Sequence, residues 1–352
     1  MRRRTFLKAS AATAVAATTG PLILGAEDKA GAKNPVLGVE GHKYEVTTHA
    51  WGTLPADYSW QTTHNVALDS AGNVYITHQG VGKKMDTVLV FDAAGKFVRS
   101  FGQDFHGGGH GIEIRKEGSD EFAYLSNTWT PELKVMKTTL KGEVVWKMGR
   151  PECDEYKDAK RTYNPTNICF TPDGGFIVGD GYGSNYMLRY GKDAKLVKVF
   201  GGTGTALGQM RTAHGNWVDA RDTKAPVLVV CDRANARLQT FDLDGKALSA
   251  TESGKVVLFP AHAKTRGDVL MVPDLHARVS LFGKGNELIA HLGEDADWRK
   301  KVLDGMKIRT QPKEWPAGKF IHPHDAAFDK DGNIFVVEWV STGRVSFLKK
   351  VG

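Results

Sequence analysis

Five histidines stand at the head of five similar segments, and a ring of imidazoles is one of the simplest ways a chain can grip a metal ion. The segments begin at His64, His110, His214, His262 and His324, and a sixth, around Asn164-Pro-Thr166-Asn, carries Thr166 where the imidazole would stand. Each opens on a short apolar run, as in His64-Asn-Val-Ala-Leu-Asp, His214-Gly-Asn-Trp-Val-Asp and His324-Asp-Ala-Ala-Phe-Asp. Successive spacings are 46, 56, 48, 48 and 62 residues. Repeats of about 40–50 residues built from short strands are the mark of propeller blades. If each blade sends its innermost strand to a shared axis, side chains at the head of those strands converge on one channel.

The elements that must position these histidines read as strands of four to six residues separated by Asp/Gly turns. Blade one runs Asn65-Val-Ala-Leu-Asp, Asn73-Val-Tyr-Ile-Thr, Thr87-Val-Leu-Val-Phe-Asp and Lys96-Phe-Val-Arg-Ser-Phe, and blade four repeats the plan from Asn216 to Ala250. The last segment supplies only three strands before the chain ends at Gly352, so the alternating stretch at 43–51 is expected to complete that blade and close the ring. The fold expected is all-β, a six-bladed propeller over residues 42–352, with a short helix near Asp295–Met306. Residues 27–41, polar and rich in Gly and Ala, read as a flexible leader.

The formal charge of +7 owes four units to Arg2, Arg3, Arg4 and Lys8, which leaves too mild a balance, and no basic run, for nucleic acid. Those residues open a stretch that ends near Ala26 and reads as a signal peptide; Arg3-Arg4-Thr-Phe-Leu-Lys resembles a twin-arginine export signal. The expectation is a periplasmic or extracellular protein, without a membrane span in the mature chain. Cys153, Cys169 and Cys231 have no metal spacing and make no disulfide framework; the latter two sit in strand-like runs.

The blades resemble NHL repeats, on Asp173-Gly-Gly-Phe-Ile-Val-Gly-Asp180 and Val229-Val-Cys-Asp232-Arg-Ala-Asn235-Ala-Arg237, over roughly residues 60–350. Four motifs in order narrow this: Gly109-His110-Gly111-Ile112, Gly179-Asp-Gly-Tyr182-Gly-Ser-Asn185, His214 with Asp232-Arg233-Ala-Asn235, and Pro323-His324-Asp325. They look like those of peptidyl-alpha-hydroxyglycine alpha-amidating lyase, a six-bladed propeller enzyme. That resemblance implies a catalytic zinc on His110, His214 and His324, one from each alternate blade. Three protein ligands with an open position are the pattern of a catalytic zinc. It also implies a structural calcium at Val66, Ile112 and Asp325, and makes Tyr182 the base that takes a proton from a substrate hydroxyl, with Arg233 as its partner. The reaction implied is carbon–nitrogen cleavage giving an amide and glyoxylate.

The chain departs from that pattern. Gln79 stands where a second active-site arginine falls, His322 replaces a methionine, and Tyr163, Gly183 and Thr240 occupy positions of the family's cysteine pairs. The sequence therefore also admits a propeller scaffold without turnover, binding a peptide or glycan on its loops. Channel histidines can equally hydrogen-bond backbone or water, and His64 and His262 have no role in the resemblance. A calcium-dependent lactonase-type propeller would need more acidic or amide axial residues than Asp325 and Asn167. The partner expected is a small-molecule or peptide substrate.

Overall fold

The computed structural model describes residues 33–81, 85–129 and 132–352. The proposed signal peptide, and residues 27–32 of the proposed leader, lie outside the described residues. Residues 34–352 form one compact unit of six antiparallel sheets, the six blades expected. Their innermost strands are Thr63–Leu68, Gly109–Glu117, Asn167–Phe170, Ala213–Asp219, Lys264–Arg266 and Pro323–Phe328. Each of the first five blades has four strands in chain order from the axis outward.

Local sequence explains the regularity. Asp-x-x-Gly turns join neighbouring strands, and the Asp caps the turn with its own carboxylate. Asp69 Oδ1 accepts the Asn73 N–H at 2.8 Å, Asp242 Oδ1 the Lys246 N–H at 2.8 Å, and Asp329 Oδ1 the Asn333 N–H at 2.9 Å. The glycine in each turn sits at φ near +85° (Gly72, Gly332), a region open to glycine at no steric cost. The second strands are buried on both faces, as in Val74–His78 and Ile334–Glu338, because each sheet packs between two neighbours. The core is therefore a series of seams: Val66, Val74 and Phe91 meet Phe335 and Val345 between blades one and six, and Met271 and Leu281 meet Val336 and Leu348 between five and six. Cys169 and Cys231 are buried within such seams.

The N-terminal segment closes the ring as the missing fourth strand of blade six. His42–Thr48 runs antiparallel to Val345–Lys350, with Val46 opposite Leu348 and Tyr44 opposite Lys350. One correction concerns the assigned leader. Val36–Val39 is itself a strand, a fifth, paired with His42–Thr48 through Val36↔Glu45 and Val39↔His42. Its Val-Leu-Gly-Val run is the apolar stretch that the overall polarity of 27–41 concealed. The expected helix is Ala296–Leu303, its N-cap Asp295 accepting from Asp297 N and Trp298 N. It anchors a long insertion between blades five and six through Trp298, whose Nε1 donates to Phe320 O at 2.6 Å.

Candidate metal centre and pocket

Four of the five ring histidines lie on β-bulges. The pairing of inner to second strand slips between Thr63 and Val66, Gly109 and Ile112, Ala213 and Asn216, and Pro323 and Asp325, which brackets His64, His110, His214 and His324. A bulge re-aims a side chain out of the strand's alternation. His262 instead lies just before the short strand Lys264–Arg266. The re-aimed rings of His110, His214 and His324 come together with centroids 5.0, 5.0 and 4.6 Å apart, and one ligand nitrogen from each lies within 4.8 Å of the other two.

What holds each ring is a carbonyl from the next blade. Nδ1 of His110 is 2.7 Å from Thr166 O, Nδ1 of His214 is 2.6 Å from Ala261 O, and Nδ1 of His324 is 2.7 Å from His64 O. A carbonyl only accepts, so each Nδ1 carries the proton and each Nε2 presents its lone pair. This is the orienting hydrogen bond that metal-bound histidines characteristically make. The glycines that follow two of the histidines make it possible. A Cβ on Gly111 would sit 2.7 Å from Thr166 O, and one on Gly215 2.5 Å from Ala261 O, the same carbonyls that hold the rings. Glycine is thus a positional requirement after His110 and His214, whereas His324 makes the same contact with Asp325 after it.

All three histidines are buried to within 2 % exposure. Burial drives their imidazoles well below the usual range, reinforced by His64 at His110, by Arg233 at His214 and by His110 at His324. They are neutral at neutral pH, so their lone pairs are available. The Nε2 atoms of His110 and His324 have no hydrogen-bond partner, while that of His214 meets the Tyr182 hydroxyl at 2.9 Å. Three neutral nitrogens converging without a proton among them, two of them unpartnered, fit a zinc ion chemically. His64 stacks on His110 at 4.9 Å with its Nδ1 unpartnered and its imidazole pushed down to about 3 by burial and then by His78.

Tyr182 stands over this trio on a loop built around Asp180. That carboxylate accepts from the Tyr156 hydroxyl, Asn164 N and Ser184 N, each at 2.6 Å. Gly181 passes against Ala213 O, where no side chain would fit. Arg233 is placed by a 3₁₀ turn, Arg233–Asn235, whose preceding Asp232 is bound by Asn235, Arg237 and Gln239. Its Nη2 lies 3.3 Å from the Tyr182 hydroxyl, and its guanidinium stacks between the Tyr182 and Phe259 rings at 5.3 and 5.2 Å. Above them opens a cavity of about 110 Å³ lined by Tyr182, Arg233, Phe259, Leu275, His276, Met306, His322, His324 and Trp339. His322 repeats the device of the trio: Nδ1 is 2.7 Å from Leu275 O and Nε2 is unpartnered. Gln79 does not line this cavity; it is half-buried, its backbone bonded to Thr62 O. Sequence reasoning missed Phe259, Leu275, His276, Met306 and Trp339, which come from irregular loops without periodic signal.

The positions assigned to calcium behave differently. The Val66 carbonyl and the Asp325 carboxylate both bind the ammonium of Lys264, at 2.6 and 2.9 Å, and the Ile112 side chain packs in the seam between blades one and two. With an ammonium already at those oxygens, they do not fit a calcium ion.

No protein-family model matches the sequence, and no curated protein matches it. Solved structures share the fold. The catalytically inactive virginiamycin B lyase from Staphylococcus aureus with quinupristin superposes with a TM-score of 0.54 at 12% identity, covering 85% of this chain and 98% of that one. A streptogramin B lyase gives 0.51 at 11%, covering 83% and 95%. A luciferin-regenerating enzyme gives 0.53 at 12%, covering 84% and 93%. At such identities the likeness shows the six-bladed propeller and nothing finer.

Proposed function

We propose that this chain is an exported zinc-dependent lyase, related to peptidyl-alpha-hydroxyglycine alpha-amidating lyase, that cleaves a carbon–nitrogen bond in a small hydroxylated, amide-bearing substrate. The observation that carries the reading is the trio of buried Nε2 lone pairs directly beneath a tyrosine–arginine pair at the floor of a cavity. A zinc ion bound there would supply a Lewis acid that polarises the substrate hydroxyl. Committing the His214 lone pair to an ion frees the Tyr182 hydroxyl from its present acceptor and leaves Arg233 as its partner. As phenolate, its own proton released to solvent when the ion binds, Tyr182 oxygen would take the proton of that hydroxyl and pass it on to the leaving nitrogen. The carbon–oxygen bond becomes a carbonyl as the carbon–nitrogen bond breaks, and the nitrogen leaves with the electron pair and a proton, giving amide and glyoxylate.

Arg233 is the one permanently charged residue lining the cavity, and it suits a substrate carboxylate. Phe259, Leu275, Met306 and Trp339 suit an apolar flank. The test is glyoxylate release from a hydroxyglycine-extended peptide by zinc-loaded protein. Activity that disappears in Tyr182→Phe, with zinc still bound, supports the reading. Release unchanged in Tyr182→Phe removes Tyr182 from the chemistry, and no release from any such peptide removes the reaction. Because Gln79 does not line the cavity, Gln79→Arg is expected to leave turnover unchanged, and an increase would show that an arginine at this position reaches the substrate.

A further inference from the structure

Some distance along the channel from the histidine trio lies a second cluster, Glu113, His262 and Asp325, whose ligand atoms also lie within 4.8 Å of one another and which is fully buried. It has the composition of a divalent-cation site. Lys264, itself buried, projects into it from the short inner strand of blade five. Its Nζ is 2.6 Å from Val66 O, 2.9 Å from Asp325 Oδ2 and 3.0 Å from Glu113 Oε1. These oxygens come from blades one, six and two, so a single ammonium ties four blades together at the axis. Asp325 Oδ2 also accepts the Val66 N–H at 3.0 Å, and His262 Nε2 lies 3.4 Å from Glu113 Oε1.

We infer that Lys264 is a covalently built-in cation that occupies a divalent-metal position in the propeller channel, so that the protein stays closed at its axis without calcium. A buried carboxylate pair needs compensating positive charge, and a site offering one carbonyl and two carboxylate oxygens would otherwise attract a hard cation. Lysine delivers that charge by donating to Val66 O and Asp325 Oδ2 and pairing with the Glu113 carboxylate, and it cannot be removed by a chelator. Burial opposes the ammonium, but Asp325 and Glu113 outweigh it and hold it above the ordinary lysine range.

The test is calcium titration by calorimetry, with thermal melts in calcium and in calcium-free buffer without chelator, at constant saturating zinc. Wild type is expected to melt at the same temperature in both and to give no heat of binding. Lys264→Ala, with two uncompensated carboxylates, is expected to melt several degrees lower than wild type in calcium-free buffer. Calcium should restore it with one-to-one stoichiometry, and Lys264→Ala combined with Asp325→Asn should lose that response. A folded Lys264→Ala protein indifferent to calcium overturns the inference. So does calcium binding by wild type that Asp325→Asn abolishes, a result that decides the matter even where Lys264→Ala does not fold.

Discussion

Stripping and restoring zinc should move the melting temperature of this protein by an amount that the centre's geometry sets. Without an ion, the Nε2 atoms of His110 and His324 are buried acceptors with nothing to accept. An unsatisfied buried polar atom costs about 1–3 kcal/mol, so the empty centre carries a deficit of roughly 2–6 kcal/mol. Zinc at about a thousand times its dissociation constant stabilises the folded state by about 4.1 kcal/mol through mass action. For the roughly 320 residues of the Asn34–Gly352 unit, an unfolding entropy of about 2.1 cal/mol/K per residue sums to ~0.67 kcal/mol/K. The expected rise is therefore about 6 °C. Scanning calorimetry of chelator-stripped protein, with and without zinc, measures it, and elemental analysis gives the stoichiometry. His214→Ala should abolish both the shift and the bound metal. Coincident melts for stripped and zinc-supplemented wild type, or a shift that survives His214→Ala, would refute the metal centre and leave the trio as polar lining.

Gly215→Ala leaves all three ligands in place but drives a methyl into Ala261 O, the carbonyl that orients His214; zinc affinity should fall about 10–100-fold in competition titration, as expected for loss of an orienting partner. Arg233→Met should raise KM for a carboxylate-bearing substrate at least as much as it lowers kcat in steady-state assays, because the guanidinium both partners Tyr182 and faces the cavity. His49 is held down to about 2, chiefly by burial and then by Arg344. It therefore binds fewer protons folded than unfolded, and stability should be full above pH ~6.5 and fall by up to about 1.4 kcal/mol per pH unit below it; in His49→Gln that part of the acid dependence should vanish from denaturant melts. Leu348→Ala, which hollows the seam where the two chain ends meet, should cost about 2–5 kcal/mol by urea unfolding, and a loss under 1 kcal/mol would show that the seam contributes little.

The spacing of the five histidines and Thr166, with the Asp-x-x-Gly turns, made the ring legible, because a propeller repeats one local pattern and each copy meets its neighbours alike. The repeat marks His64 and His262 just as clearly, and only the resemblance singled out His110, His214 and His324 as a set. The bulges that aim them were hidden, since a bulge is a slip between two strands and leaves no mark on either. The Lys264 contacts were not visible: His262 precedes the short strand that Lys264 begins, and nothing in either blade announces that Glu113 and Asp325 meet them across the axis. The strand Val36–Val39 was lost in the average polarity of its surroundings. Met306 and Trp339 reach the cavity from the insertion before blade six and from a turn within that blade, where no periodicity exists to read.

The closure of blade six by His42–Thr48 has a bearing on how the centre forms. Its last imidazole, His324, rides on the sheet that His42–Thr48 and Val345–Lys350 must complete together, and its nearest companion in the trio is 110 residues upstream at His214. A nascent or partly unravelled molecule thus offers scattered single histidines, each a weak binder. Under the proposed function, tight uptake of an ion would therefore certify a finished ring, and the ion would clamp three non-adjacent sectors and resist the peeling of any one of them.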